Sequence, residues 1–417
     1  MSGLRHLAPD QMAREPRTPV DAAILREAAA IVEDVRRRGE QAILEHSERF
    51  GDLGGGDRIL FDHDSLHSSL AEVDPPTRSL LERTTRRIRG FAEAQRSCLL
   101  DLDIEIPGGR AGHRWLPVRT AGAYAPGGRY PLPSSVLMTV IPARVAGVEQ
   151  VWVASPRPTS VTLAAAAAAG ADGLLAVGGA QAIAALAFGV FSAPCDVVVG
   201  PGNRWVTAAK KHLYGEIGID GLAGPSEIVV IADRASDPRL VAADLLAQAE
   251  HDPDAVPTLI TLESKLIPLV EEILAEELGS LSTADVASSA LDRGYVIVVE
   301  DLDEAVDLCD RIAPEHLALH VEAPHTIAER LSDYGSLFIG DASAEVFADY
   351  GAGPNHVLPT GGGARFQSGL SVATFLRSPT WMTVDEPDVI ERDIARFARL
   401  EGLEAHARAA ELRSQPG

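Results

Sequence analysis

Residues 150–200 read QVWVASPRPTSVTLAAAAAAGADGLLAVGGAQAIAALAFGVFSAPCDVVVG. Three short apolar runs, VWVAS, GLLAV and DVVVG, are separated by stretches each long enough for one helix. Strands that alternate with helices build βαβ units, and such units lay neighbouring strands parallel in one sheet. The part from Val161 to Val190 is mostly Ala, Leu and Gly and long enough to suggest a membrane span. Asp172, Gln181 and the glycines argue against that, and a buried helix, strand, helix succession explains the run better.

The alternation continues with EIVVIAD at 227–233, TLITL at 258–262, YVIVVE at 295–300, LALHVE at 317–322 and SLFIG at 336–340. Before Trp115 the pattern differs: residues 21–50 and 76–97 carry apolar positions every three or four residues, as amphipathic helices do, and GDLGGGD at 51–57 reads as a loop. Beyond Ser371 the chain is expected to be helical and charged. Length and strand count favour two α/β layers over one.

With 37 Lys and Arg against 60 Asp and Glu, the 417-residue chain carries a formal charge of −23. Such a surface repels phosphate backbones and anionic lipid, so neither nucleic acid nor membrane is an expected partner. Cys98, Cys195 and Cys309 form no CxxC pair, which suits a reducing cytoplasm and buried structural thiols. A catalytic thiol at Cys195 is the alternative. The opening residues lack the apolar core of a signal peptide, so export is not indicated.

Several segments carry chemistry. In DLLAQAEHDPD, Gln248 and His251 are three apart, and Ser236 or Asp237 followed by Pro238 starts a helix that Asp252-Pro253 closes. Both residues are then expected in its last turn, on one face, where the helix dipole favours a cation. APEHL at 313–317 puts Glu315 and His316 just before a strand, the place of a proton-transfer pair or of a plain exposed turn. VVVGPGNRWVTAAKKHLY at 197–214 runs a strand through Gly200 and Gly202 into a helix, whose free amides favour an anion. The chain has no GxGxxG, so the ordinary dinucleotide fingerprint is missing.

Eight motifs, YAPGG, VGGAQAIAALAFG, VGPGN, IDGLAGPSEIVVIAD, DLLAQAEH, APEHL, NHVLPT and EGLEAH, occur here in the order of the histidinol dehydrogenase family. The chain resembles that family from about Trp115 to its C-terminus. The resemblance implies an α/β fold of two incomplete Rossmann-like parallel-sheet domains with a helical N-terminal region and a helical C-terminal arm. On that pattern residues 1–110 form the helical part of the larger domain, 111–222 an inserted NAD-binding domain, 223–370 the rest of the larger domain, and 371–417 an arm swapped between the subunits of a homodimer.

The same resemblance implies a zinc- and NAD-dependent enzyme that takes a small alcohol, L-histidinol, through its aldehyde to the acid. It assigns Gln248, His251, Asp349 and His406 to zinc, Tyr124, Gln181 and Asn203 to NAD, and His316 and Glu315 to proton transfer and water activation. Ser226, His316, Asp349, His356 and Glu401 would contact substrate. Two departures flank these motifs: Arg129-Tyr130 where small residues are frequent, and Ser368-Gly369-Leu370 in GGGARFQSGLSVATFLRSPTW. They keep open a paralogue acting on another polar alcohol, such as a sulfonated diol or amino alcohol. A non-redox zinc enzyme or a binding protein on the same fold is the remaining reading.

Overall fold

The computed structural model describes residues 3–12, 20–53, 58–127 and 130–414. Two six-stranded sheets organise them. In the first, the strands run in the order Gly218–Ile219, Val197–Val199, Thr120–Tyr124, Gln150–Ala154, Gly173–Leu175 and Leu60–Asp62. All pair parallel except Leu60–Asp62, which is antiparallel to Gly173–Leu175. In the second, wholly parallel sheet the order is Arg5–Leu7, Tyr295–Val298, Val256–Thr261, Glu227–Ala232, His316–His320 and Ser336–Ile339.

The two sheets share one connectivity. The first strand of each unit lies inside the sheet, the next two extend to one side, the fourth and fifth return to the other, and an N-terminal strand is added beyond the third. Each sheet therefore has a point beside its first strand where strand order reverses. The helix, strand, helix reading of 161–190 holds: Ser160–Ala169, Gly173–Leu175 and Gly179–Phe188 are almost wholly buried. Their small side chains let helices approach closely on both faces. Among the described residues no helix is long and apolar enough to cross a membrane.

The N-terminal helices do not follow expectation. Ala22–Arg38 packs on Arg204–Leu213 and Gly179–Phe188, His63–Glu72 on Ser160–Ala169, and Pro75–Ser97 on Pro133–Ala146, so they cover the first sheet. Among the described residues of the assigned 1–110 stretch, only the strand Arg5–Leu7 joins the second sheet. An apolar stripe such as Ala28, Val32 and Val35 announces that a helix face is buried, not what buries it.

The tail also departs from expectation. Leu376–Arg377 pairs with Leu116–Pro117, and Thr380–Val384 pairs antiparallel with Gly109–His113, whose other neighbour is Leu102–Ile106. Apart from the single 3-10 turns Val372–Phe375 and Pro387–Val389, helices follow only from Glu391: Glu391–Leu400 and Glu404–Glu411 pack on each other around Ala395, Ala398 and Ala407. Phe397, Leu400 and Leu412 stay exposed on this arm.

Candidate active site

Glu227 and His316 begin neighbouring parallel strands, paired through Ile228↔His316. They therefore sit at the N-terminal end of the second sheet, with His316 inside the sheet and not at its edge. Helix Pro238–Ala249 lies over this end. Asp237 is its cap, accepting from Arg239 N, and Pro238 opens the first turn as expected. Gln248 is in the last turn, but His251 lies just past the helix end, where its amide donates to the Gln248 carbonyl at 3.3 Å. The short helix Glu345–Asp349 supplies two acids four residues apart, on one face.

These elements bring His316, Gln248, His251, Glu315, Glu345 and Asp349 together. His316 Nδ1 is 3.1 Å from Gln248 Oε1, 3.3 Å from the Glu227 carbonyl and 3.6 Å from Glu345 Oε1. His251 Nε2 is 3.6 Å from Asp349 Oδ2. One ligand atom each from His251, Glu345 and Asp349 lies within 4.8 Å of the others, a spacing that a single cation can bridge. Glu315 Oε2 accepts from Glu227 N at 3.0 Å, and Glu227 Oε1 accepts from Gly361 N at 2.8 Å.

The electrostatics of this cluster call for positive charge. Glu315, Glu345 and Asp349 are buried, and among the described residues none of them pairs with Lys or Arg; the basic side chains beside them are histidines. Burial, reinforced by neighbouring carboxylates, raises the Glu315 and Glu345 carboxyls well above the usual range. A divalent cation would offset that cost and release their protons, and imidazole, carboxylate and amide oxygen suit zinc. Burial pushes the His316 imidazolium down to about 4, so the ring is neutral near pH 7. The Nε2 atoms of His316 and His356 are buried without a partner, the mark of groups awaiting a ligand.

The tautomer of His316 follows from the Gln248 amide. With Gln248 Oε1 and the Glu227 carbonyl as acceptors, the proton sits on Nδ1 and Nε2 keeps a lone pair. The opposite amide orientation places the NH2 group against Glu345 Oε1 at 3.2 Å, the Glu227 carbonyl at 3.3 Å and His316 Nδ1 at 3.1 Å. That arrangement moves the imidazole proton to Nε2.

The other candidate residues gather at the C-terminal end of the first sheet, around its order reversal, where open α/β sheets hold ligands. Tyr124 ends one strand; its hydroxyl accepts from Gly179 N at 3.2 Å and keeps its own proton to donate, and burial pushes its pKa up to about 12. Gln181, buried in helix Gly179–Phe188, donates to Asp52 Oδ2 at 3.1 Å, which also accepts from Gly178 N at 2.9 Å. Asn203 caps Arg204–Leu213 by accepting from Trp205 N and Val206 N, so two of the amides expected to meet an anion are already taken.

Gly200 sets this turn. Its φ of +113° and the 2.0 Å gap between a would-be Cβ and the Tyr124 carbonyl exclude any side chain. Asp220 accepts from Gly200 N at 2.7 Å, Lys210 donates to the Gly200 carbonyl at 3.1 Å, and the two side chains form a buried ion pair.

Ser226 directly precedes Glu227, and a hydrogen bond from its side chain lowers the Glu315 carboxyl against the stronger effect of burial. His356 Nδ1 lies 3.1 Å from the Asp349 carbonyl. Glu401 and His406 are exposed on the C-terminal arm, and neither hydrogen-bonds to the cluster within this chain. Arg129 lies outside the described residues. Cys195 and Cys309 are buried, and burial pushes both thiols up, against a catalytic role for Cys195, while Cys98 is exposed. Sequence reasoning missed Glu227, Glu345, Asp52 and the Lys210–Asp220 pair. Only Glu345 had a readable signal, its four-residue spacing from Asp349.

Comparison with known proteins bears on the whole chain. The profile of the family described as Histidinol dehydrogenase matches residues 15–414. The histidinol dehydrogenase of Ruegeria pomeroyi is 44% identical over 409 residues, 96% of this chain and 93% of that protein. That of Thermus thermophilus is 45% identical over 389 residues, 92% of this chain and 93% of its own length. The crystal structure of histidinol dehydrogenase from Elizabethkingia anophelis superposes with a TM-score of 0.91 at 30% identity, covering 98% of each chain.

Proposed function

The chain belongs to the histidinol dehydrogenase family of oxidoreductases, and from that premise we propose that it oxidises L-histidinol through the aldehyde to L-histidine, reducing one NAD at each of two steps. The observation that carries this reading is His316: a buried neutral imidazole whose Nε2 has no partner, while its Nδ1 lies 3.8 Å from Glu315 Oε2 and 3.6 Å from Glu345 Oε1, beside the group of His251, Glu345 and Asp349. With Nδ1–H held by the Glu227 carbonyl and Gln248 Oε1, Nε2 takes the alcohol proton while hydride leaves the carbon for the nicotinamide. Water then adds to the aldehyde with Glu315 as base, and the hydrate loses a second hydride. A carboxyl kept above its usual range by burial is a stronger base once ionised than an exposed one.

Gln248, His251 and Asp349 fit a zinc site, with Glu345 beside them. Bound zinc would hold the substrate's amine and imidazole nitrogens and so fix which carbon faces the nicotinamide. Tyr124, Gln181 and Asn203 hold NAD at the reversal point of the first sheet. Ser226, His356 and Glu401 line the substrate. The exposed apolar arm fits a homodimer in which Glu401 and His406 complete the site of a second copy, since in one chain neither touches the cluster.

The deciding experiment measures NADH released by zinc-loaded protein from histidinol, a sulfonated diol and other polar alcohols. Two NADH per histidinol are expected. A tenfold or greater kcat/KM advantage (about 1.4 kcal/mol) for the anionic alcohol would transfer the proposal to the paralogue reading. Mixing Glu315→Gln, His316→Gln subunits with His406→Ala subunits should restore part of the activity; failure with subunit exchange confirmed would remove the shared site.

A further inference from the structure

His320 ends the strand that His316 begins. Alternation along a strand puts His316, Ala318 and His320 on one face, and Ala318 packs there with Leu245, Leu246 and Ala249 of helix Pro238–Ala249, whereas Leu317 and Leu319 join the core on the other side. The helix runs against the strand. Two polar pairs therefore tie them: Asp244 Oδ2 to His320 Nε2 at 2.8 Å, and, one turn further along the helix, Gln248 to His316 at 3.1 Å.

His320 is also held from behind. Its Nδ1 lies 3.0 Å from Asp341 Oδ1 in the turn after Ser336–Ile339, and its carbonyl accepts from the Ser236 hydroxyl, in the turn just before the helix. A buried imidazole gripped on both nitrogens cannot rotate, so Asp244 is drawn to one point above the sheet. Apolar packing of Ala and Leu on Ala318 leaves a helix free to slide or turn by a fraction of a residue. A buried hydrogen-bonded pair does not.

We propose that the Asp244–His320 pair is a register lock: it fixes the axial and rotational setting of helix Pro238–Ala249 and thereby delivers Gln248 and His251 to the metal group. His320 and Asp244 are positioning residues, not ligands. The inference rests on the zinc reading above and adds to it which residues hold the ligand-bearing helix in place.

The test is calorimetric titration of zinc into the chelator-stripped full chain, with NAD binding and melting temperature measured beside it. Asp244→Leu removes the lock without leaving a buried charge unpaired. It should weaken zinc binding about tenfold, as loss of a supporting partner behind a metal ligand does, while Asp244→Asn, which keeps the hydrogen bond, stays within about threefold. NAD affinity should be unchanged in both. Should Asp244→Leu not fold, His320→Asn takes its place, because its amide mimics Nδ1 toward Asp341 and cannot reach Asp244; His320→Gln, which reaches as Nε2 does, is its control. A folded lock-breaking variant with wild-type zinc affinity would overturn the inference, as would an equal loss of NAD affinity. No zinc binding by the unaltered chain would remove the metal reading and the lock with it.

Discussion

The two sheets share a connectivity but offer opposite ends to the chemistry. The first presents the C-terminal ends of its strands, with Tyr124 and the Gly200 turn at the order reversal. The second presents the N-terminal ends, with Glu227 and His316. At its own C-terminal reversal the second sheet has, instead of an open glycine turn, the side chains of His320, Asp244 and Asp341 closing the crevice. One architecture thus yields an open turn where small residues meet, the proposed NAD site, and a compact polar cluster where strands begin. Connectivity alone does not say where a ligand binds; the residues at the strand ends do.

If the division of labour is real, damage at one sheet end should leave the other intact. His316→Ala should lower kcat for the alcohol step about a hundred- to ten-thousand-fold, with NAD affinity unchanged in a binding titration. A parallel fall in NAD affinity would break the comparison. Lys210→Met leaves Asp220 buried without its cation, a change that costs about 3 to 5 kcal/mol of stability. It should appear as a lowered melting temperature with zinc binding retained in the folded fraction. Gly200→Ala adds dihedral strain of about 1 to 3 kcal/mol and a clash that displaces the Tyr124 carbonyl, and NAD affinity should fall accordingly while zinc affinity holds.

The smallest effect is at His320. Burial alone would lower its pKa, but hydrogen bonds and charge from Asp244 and Asp341 overcome this and raise it. A group whose folded pKa is raised contributes stability below its unfolded value, about 6.5, and loses it as pH climbs through the folded value. The gap in melting temperature between wild type and His320→Gln should therefore be widest in acid and narrow toward alkaline pH. A gap that widens with pH would contradict the protonated pairing.

Much of the fold was legible because continuous apolar runs such as EIVVIAD and LALHVE announce buried parallel strands. Strands made of small residues were not: TAGAY at 120–124 and GRAGH at 109–113 have no apolar run, and they hold their places through neighbours. In the site, Gln248, His251, Glu315 and His316 drew notice by spacing and by motif. Glu227 did not, since a lone acid at a strand start reads as solvated, and only the fold buries it. The His316 and His320 pair was readable from the two-residue strand period, but its partner Asp244 required the helix direction.

The strand Arg5–Leu7 has one more consequence. It pairs with Tyr295–Ile297, yet everything needed for the first sheet lies between them in the chain. During synthesis that sheet and its helices can assemble while the first-made strand waits for a partner not yet translated. Closing so long a loop is slow, and until it closes the Tyr295–Val298 edge stands open to other chains. Shortening the N-terminus by the first dozen residues should thus tell less on the finished enzyme's turnover than on its yield, as aggregation during refolding.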